Sequence, residues 1–200
     1  MKIGILGAGA VGESFGRAVL AQGHQVMLSS RTPDSAEMKN RIASLGANAQ
    51  AGTVSQTIAF GDVIALALRA DAIGDVAKQG DWTDKIVIDM SNQFGTSQPT
   101  GQITAQLLTG AHVIKAFNTI GAEHYVNPIF DGEKATMFIA GDDAHAKQVV
   151  TELTAQLGFD VVNVGGLAES GHLDALARLW VHLAMRGGIG RNFALRLIQK

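Results

Sequence analysis

Two hydrophobic patterns alternate along this chain, and together they predict its elements. Short, nearly continuous apolar runs are typical of buried strands, whereas apolar residues three or four positions apart predict helices. The first pattern predicts strands at 2–6, 25–30, 48–51, 63–68, 85–89, 112–117, 136–140 and 159–164. The second pattern predicts helices at 11–22, 33–45, 55–60, 71–77, 104–108 and 144–157. Strands that alternate with helices predict an α/β fold whose sheet is doubly wound and mostly parallel.

The tail of the chain carries a further helical pattern. Apolar residues recur at helical spacing from Leu173 to Ala184, and the glycine-rich run 187–190 then interrupts them. We expect the helix to resume over 191–200. The sequence therefore predicts one domain over 1–200, with a helical C-terminal segment at 167–200 packed on it.

A glycine motif follows the first predicted strand at once. It reads Gly7-Ala8-Gly9-Ala10-Val11-Gly12, and the first helix begins within it. Gly7 permits a tight turn, Gly9 leaves room for a pyrophosphate, and Gly12 lets the helix pack on the sheet. The free N–H groups and the dipole at the helix start favour phosphate, and Ala10 and Val11 lie there. Strand, glycine turn, helix and strand together indicate a Rossmann-type dinucleotide-binding fold.

The end of the second strand indicates which dinucleotide is bound. A carboxylate there would accept hydrogen bonds from the ribose 2′-hydroxyl of NAD, but this chain has Ser30, Arg31 and Thr32. Arg31 can pair with a 2′-phosphate, and the two hydroxyls can donate to it, which favours NADP(H). The alternative is an ordinary surface arginine. Asp34 is expected in the first turn of the next helix, capped by Thr32.

Ligands of such sheets lie across the carboxyl ends of the strands. Further cofactor contacts are therefore expected at Ala67, Leu68 and Arg69, and a substrate pocket at Asn92, Asn118 and Thr119. Short polar residues at these ends can hydrogen-bond a ribose, a carboxamide or a substrate. They are also common turn formers, so turn chemistry is the alternative explanation for each.

Composition excludes several classes of function. The 200 residues include no cysteine, the net charge is −2, and no basic run is present. Disulfides, thiolate catalysis and nucleic-acid binding are therefore not expected. No apolar run approaches the length of a membrane span, and we expect a cytoplasmic protein without a membrane partner.

The predicted tail helix carries a basic stripe. Arg178, His182 and Arg186 lie four residues apart and can hold an anionic substrate, form a subunit interface, or make a solvated face. No serine-hydrolase or zinc-protease motif occurs, and no carboxylate pair stands out. We therefore assign no catalytic acid or base and no metal site. A nicotinamide cofactor can carry the chemistry without them.

Four segments give the chain a family resemblance. They are the glycine motif 7–12, the end of the second strand at 29–32, the segment 115–119 (Lys-Ala-Phe-Asn-Thr) and the segment 137–143. In these the chain resembles the NADP oxidoreductases that reduce a deazaflavin coenzyme (F420), and is similar to the cytosolic domain of the six-transmembrane ferric reductases. A departure is Leu68-Arg69-Ala70, where the family often has a proline motif.

The resemblance implies a Rossmann domain with a small helical C-terminal part, in a homodimer. It implies NADPH over 9–12, with the 2′-phosphate on Ser30, Arg31 and Thr32, and a flavin or deazaflavin as second substrate near Asn118. Two alternatives remain open. One is an NADP-binding redox sensor or reductase subunit without turnover. The other is a small imine or 3-hydroxyacid reductase, a class that needs a larger helical second domain than the sequence after 164 provides.

Overall fold

The computed structural model describes residues 1–95 and 97–200, which form an eight-stranded sheet with helices on both faces, and a small hairpin. The strands are β1 (Lys2–Leu6), β2 (Gln25–Ser29), β3 (Ala49–Gly52), β4 (Val63–Leu66), β5 (Ile86–Asp89), β6 (His112–Lys115), β7 (Ile129–Phe130), β8 (Glu133–Lys134), β9 (Thr136–Gly141) and β10 (Asp160–Gly165). The helices are α1 (Ala10–Ala21), α2 (Ala36–Leu45), α3 (Val54–Phe60), α4 (Ile73–Ala77), α5 (Thr100–Leu107), α6 (Ala144–Gln156) and α7 (Ser170–Met185). Single 3₁₀ turns lie at Ala70–Ala72, Ala122–His124 and Leu167–Glu169.

The order of the strands confirms the doubly wound α/β fold. They run β10-β9-β6-β5-β4-β1-β2-β3 across the sheet, and β7 pairs with β8 separately. Every pair from β3 to β6 is parallel. The strand β9 pairs with β6 antiparallel and with β10 parallel, so the sheet is mostly parallel. The chain reverses direction across the sheet between β1 and β4, which is where such folds bind their ligands.

Two apolar layers pack on the two faces of the sheet. Ile3 and Ile5 of β1 point into one layer with Phe15 of α1, whereas Leu6 points into the other with Ile58 of α3. All four residues of β4 are buried, as expected for a central parallel strand covered on both faces. The glycine turn after β1 is thereby fixed to a rigid scaffold.

The helix α2 begins three residues later than the sequence predicts. Its N-cap is Ser35, whose hydroxyl accepts from the Met38 N–H, and not Thr32. Ser35 N–H instead donates to the Thr32 carbonyl in a turn. Asp34 therefore lies before the helix, and its predicted place in the first helical turn is wrong.

The C-terminal segment is helical only in part. The α7 helix ends at Met185, as the glycine run predicts, but the predicted helix over 191–200 is wrong. Gly188 and Gly190 have φ of +74° and +78°, which turn the chain back along the body. The tail then lies extended beside β9, where Thr136 N–H donates to the Leu195 carbonyl.

The part of the chain at 1–95 and 97–200 contains no helix that is long and apolar enough to cross a membrane.

Candidate cofactor site

The glycine turn between β1 and α1 is packed against the end of β4. A Cβ on Gly12 would lie 1.9 Å from the Gly7 carbonyl oxygen, and one on Gly7 would lie 2.3 Å from the Ala67 carbonyl oxygen. Gly7 also has a φ of +107°. Neither position accepts a side chain, so these two glycines and half-buried Ala67 bring strand, turn and helix close together.

Gly9 has a different surrounding from the other two. A Cβ placed on it would meet no atom within 4 Å among the described residues, and Gly9, Ala10 and Val11 are all exposed. Gly9 is the N-cap of α1, and no side chain accepts from the first N–H groups of this 12-residue helix. These N–H groups therefore face open space. Unpartnered N–H groups at a helix start attract an anion. The residues therefore fit a bound pyrophosphate.

Ser29, which is not among the predicted site residues, connects the end of β2 to this turn through its hydroxyl. The N–H of Gly7 donates to Ser29 Oγ at 3.0 Å, and Ser29 is buried. The next residues remain accessible. Arg31 and Thr32 are exposed, Ser30 is half-buried, and Ser30 Oγ accepts from the Thr32 N–H at 3.0 Å.

Arg31 is free to bind a ligand. Among residues 1–95 and 97–200 no acidic side chain pairs with it. An unpaired guanidinium beside two hydroxyls, with no carboxylate at the strand end, is suited to a phosphate rather than to a ribose diol.

A second arginine, Arg41 of α2, lies over the glycine turn, and sequence reasoning missed it. Its guanidinium donates to the Ala8 carbonyl and lies 3.8 Å from the Glu13 carboxylate of α1 and 3.5 Å from that of Glu37. Arg41 therefore connects α2, the turn and α1. The only signal in the sequence is an arginine on a predicted helix, which does not say what the helix packs against.

A recess opens between the ends of β4 and β5. It measures about 470 Å³ and is lined by Arg69, Ala70, Asp71, Asn92 and Gln93. Arg69 makes two hydrogen bonds to Asp71, at 2.6 and 3.1 Å, and these bonds raise the guanidinium pKa above its ordinary value. The structure thus brings the predicted residues Arg69 and Asn92 to one recess, while Leu68 is half-buried beside them.

Behind this recess lies a buried cluster of charged groups that the sequence did not reveal. Lys115 Nζ lies 3.3 Å from Asp89 Oδ2 and 3.9 Å from Asp174 Oδ1, and it donates to the Ser91 carbonyl. Thr104 Oγ1 donates to Asp89 at 2.9 Å. The cluster joins the ends of β5 and β6 to α5 and α7.

Asn118 is held by a strained turn. Phe117 has a φ of +62°, its N–H donates to Met137 Sδ, and its carbonyl accepts from the Tyr125 hydroxyl at 2.6 Å. Burial raises the pKa of the Tyr125 phenol, so this hydroxyl stays a donor. A bulky residue with positive φ persists only where its surroundings enforce it, and such residues cluster at functional sites.

The amide of Asn118 has an unused acceptor. Its Nδ2 donates to Asn92 Oδ1 at 3.3 Å and to the Leu173 carbonyl at 3.4 Å. Its Oδ1 is buried and has no hydrogen-bond partner among the described residues. Such an acceptor fits the N–H of a carboxamide, as in nicotinamide. Asn92 and Asn118 therefore share a site, whereas Thr119 is buried in the interior.

The described residues hold no group of three or more histidine, cysteine, aspartate or glutamate side chains arranged to hold a metal ion.

Comparison with known proteins finds a family that matches the first half of the chain. Residues 2–93 match the model of the family described as NADP oxidoreductase, coenzyme F420-dependent. The resemblance to these NADP oxidoreductases is confirmed. The matched stretch covers the glycine turn, the end of β2 and the recess up to Asn92 and Gln93, and this family consists of NADP-dependent oxidoreductases.

Known relatives extend the likeness beyond the matched stretch. Metalloreductase STEAP3 from Rattus norvegicus is 27% identical over 181 residues, which are 88% of this chain. The chain spans about a third (36%) of the length of that relative. A proposed F420-dependent NADP reductase from Arthrobacter sp. FB24 superposes with a TM-score of 0.88 at 23% identity, covering 100% of both chains. A hypothetical protein from Sinorhizobium meliloti is 28% identical, with a TM-score of 0.77 over 100% of this chain and 96% of its own.

Proposed function

We propose that this protein is an NADPH-dependent oxidoreductase that transfers a hydride between NADP(H) and a flavin-like or deazaflavin acceptor. The end of β2 carries the proposal: unpaired Arg31 stands beside the hydroxyls of Ser30 and Thr32, where an NAD-specific site has a carboxylate. The family description of residues 2–93 and the open N-terminus of α1 support NADP(H) as the cofactor.

In this proposal each part of the site binds one part of the cofactor. The N–H groups at the start of α1 hold the pyrophosphate, and Arg31 pairs with the 2′-phosphate. Asn118 Oδ1 accepts from the carboxamide, and Ala67, Leu68 and Arg69 lie along the path between them. The bound nicotinamide supplies the hydride.

The protein's own part in the reaction is to position the two rings. The Lys115 cluster and the Phe117 turn fix Asn92 and Asn118, and a rigid frame keeps the reacting rings at contact distance. The transferred hydride and one proton, taken from solvent, together complete the reduction of a flavin-like acceptor. No side chain is needed as acid or base. The acceptor is a small molecule, and the cytoplasmic location and the homodimer remain predictions.

Calorimetric titration with NADPH and NADH, followed by a hydride-transfer assay, tests the proposal. The acceptors are a deazaflavin, FMN and a ferric chelate, the last because the relative STEAP3 is named a metalloreductase. We expect tighter binding of NADPH than of NADH, and oxidation of NADPH with one ring acceptor. Tight binding without turnover on any acceptor would instead identify a redox sensor or a reductase subunit.

A further inference from the structure

A groove lies beside the cofactor site, between α7 and the loop that follows β5. It measures about 250 Å³ and is lined by Phe94, Arg178, Val181, His182, Met185 and Arg186. Sites that enclose a whole ligand measure about 300–1,000 Å³, so this groove has room for part of one. Gln93 lines the recess at the end of β5 and the next residue, Phe94, lines the groove, so the same short loop borders both spaces.

One wall of the groove is apolar and exposed. Phe94 is 46% exposed and Met185 of α7 is 66% exposed, and half-buried Val181 of α7 lines the same groove. An accessible aromatic side chain facing a flexible thioether can pack on a flat ring.

The other wall is a row of bases without acidic partners. Arg178, His182 and Arg186 are exposed, and no acidic side chain among residues 1–95 and 97–200 pairs with them. Neighbours in the row are about 6 Å apart along the helix axis, so their side chains can converge on one anion.

The helix dipole accounts for only part of this row. Bases in the last turn of a helix interact favourably with its C-terminus, which explains His182 and Arg186. Arg178 lies two turns before the end of α7, beyond the reach of that effect. The dipole therefore does not account for Arg178.

We propose that this groove binds the second substrate, and that the substrate is a flat ring compound with an anionic substituent. This inference rests on the proposed function, because it places the acceptor next to the nicotinamide pocket. The ring packs on Phe94 and Met185, and the anionic group pairs with Arg178 and its neighbours. A neutral ring compound of the same shape binds much more weakly.

Two flavins that share a ring and differ in one phosphate, FMN and riboflavin, test the charge requirement. Binding is followed by quenching of flavin fluorescence with the full chain saturated with NADP⁺, so turnover is not needed. We expect FMN to bind more tightly than riboflavin by a factor of about ten or more, which corresponds to one charge-assisted contact. The difference should shrink as the ionic strength rises from about 0.01 to about 1 M.

Variants identify the groove as the site. Arg178→Gln should bring the FMN and riboflavin affinities together, while Lys134→Gln, which removes an exposed charge on the hairpin, should leave their ratio unchanged. Phe94→Ala should weaken both flavins by the same factor. An unchanged ratio in Arg178→Gln, or equal affinities in the wild type, would overturn the proposal.

Two further measurements separate the remaining outcomes. Titration of Arg178→Gln with NADPH should match the wild type, whereas a wild type that fails to bind NADPH would overturn the proposed function itself.

A second copy of the chain could instead cover the groove. In that case Met185→Glu would convert a dimer to a monomer in sedimentation velocity, and that result would overturn the assignment of a substrate to the groove.

Discussion

Lys115 Nζ lies 3.3 Å from Asp89 Oδ2, and both side chains are fully buried at the ends of neighbouring parallel strands. Asp174, from the first turns of α7, is 3.9 Å from the same ammonium group. One lysine therefore pairs with carboxylates from two distant parts of the chain. A buried ion pair adds little net stability, but removal of one partner leaves a buried charge without compensation.

We predict that Lys115→Met lowers the free energy of unfolding by about 3–5 kcal/mol, because two carboxylates remain buried beside an apolar side chain. Urea denaturation followed by circular dichroism measures the loss. Lys134→Met is the matched control on the exposed hairpin and should change stability by less than about 0.5 kcal/mol. A loss in Lys115→Met no larger than that of the control would show that the cluster is not critical to the fold.

Arg31 is predicted to discriminate between the two dinucleotides. Arg31→Ala should weaken NADPH binding by about tenfold or more and leave NADH binding nearly unchanged, because only NADPH carries the 2′-phosphate. Isothermal titration of both cofactors gives the two ratios. Lys39→Ala, at an exposed position of α2, controls for the loss of one positive charge. Equal losses for both dinucleotides would contradict the assignment of the end of β2 to NADP(H).

Substitutions of two glycines in the turn are predicted to have different effects, one on stability and the other on dinucleotide binding. Gly12→Ala places a Cβ 1.9 Å from the Gly7 carbonyl oxygen, so the variant should lose about 1–3 kcal/mol of stability or more. Gly9→Val meets no atom within 4 Å at its Cβ, so it should fold but no longer bind dinucleotide. Thermal melting and NADPH titration separate the two effects. A folded Gly9→Val variant with full affinity would show that the cofactor lies elsewhere.

Arg41 is predicted to support the part of the site that both dinucleotides use. Arg41→Met keeps the side-chain stem but removes the hydrogen bond to the Ala8 carbonyl, which releases the glycine turn. NADPH and NADH should lose affinity by the same factor, about tenfold, unlike the selective loss in Arg31→Ala. Arg17→Met is the control, because Arg17 pairs with the same Glu13 at 2.8 Å without contacting the turn. A selective loss of NADPH alone would assign Arg41 to the 2′-phosphate instead.

The sequence predicted the local parts of this molecule well. The glycine turn and the buried strands follow from short-range rules, since each depends on residues within one element or one turn. Gly7 and Gly12 are required by contacts inside the turn and with Ala67. The fold class follows from the alternation of these elements.

Contacts between distant elements escaped prediction. Arg41 reaches the glycine turn only because α2 packs beside α1, and Lys115 meets Asp174 only because α7 returns across the sheet. The prediction of a helix in the tail was wrong for a different reason. Phe193, Leu195 and Leu197 alternate with polar or small residues, a period-two pattern that favours an extended chain over the predicted helix. Hydrogen bonds with Thr136 then hold the tail in that form.

The extended tail is fastened by an ion pair that acid should weaken. Arg191 makes two hydrogen bonds to Glu123, at 2.7 and 2.8 Å, and lies over the Trp180 ring, which stacks on Phe193. These bonds hold the pKa of the Glu123 carboxyl below its ordinary value of 4.5. A depressed pKa contributes stability that is fully present above the unfolded value and is lost as the pH falls through the folded value.

We therefore predict that the tail detaches as the pH falls below 4.5 and through the lower pKa that Glu123 has in the folded state, before the sheet unfolds. Trp180 fluorescence reports the detachment in a Trp82→Phe background, and far-UV circular dichroism reports the sheet. Glu123→Gln should show the detached fluorescence already at neutral pH, because a neutral amide pairs weakly with the guanidinium. If the wild type and Glu123→Gln respond to acid identically, then other contacts of the tail, such as those with Thr136, hold it in place.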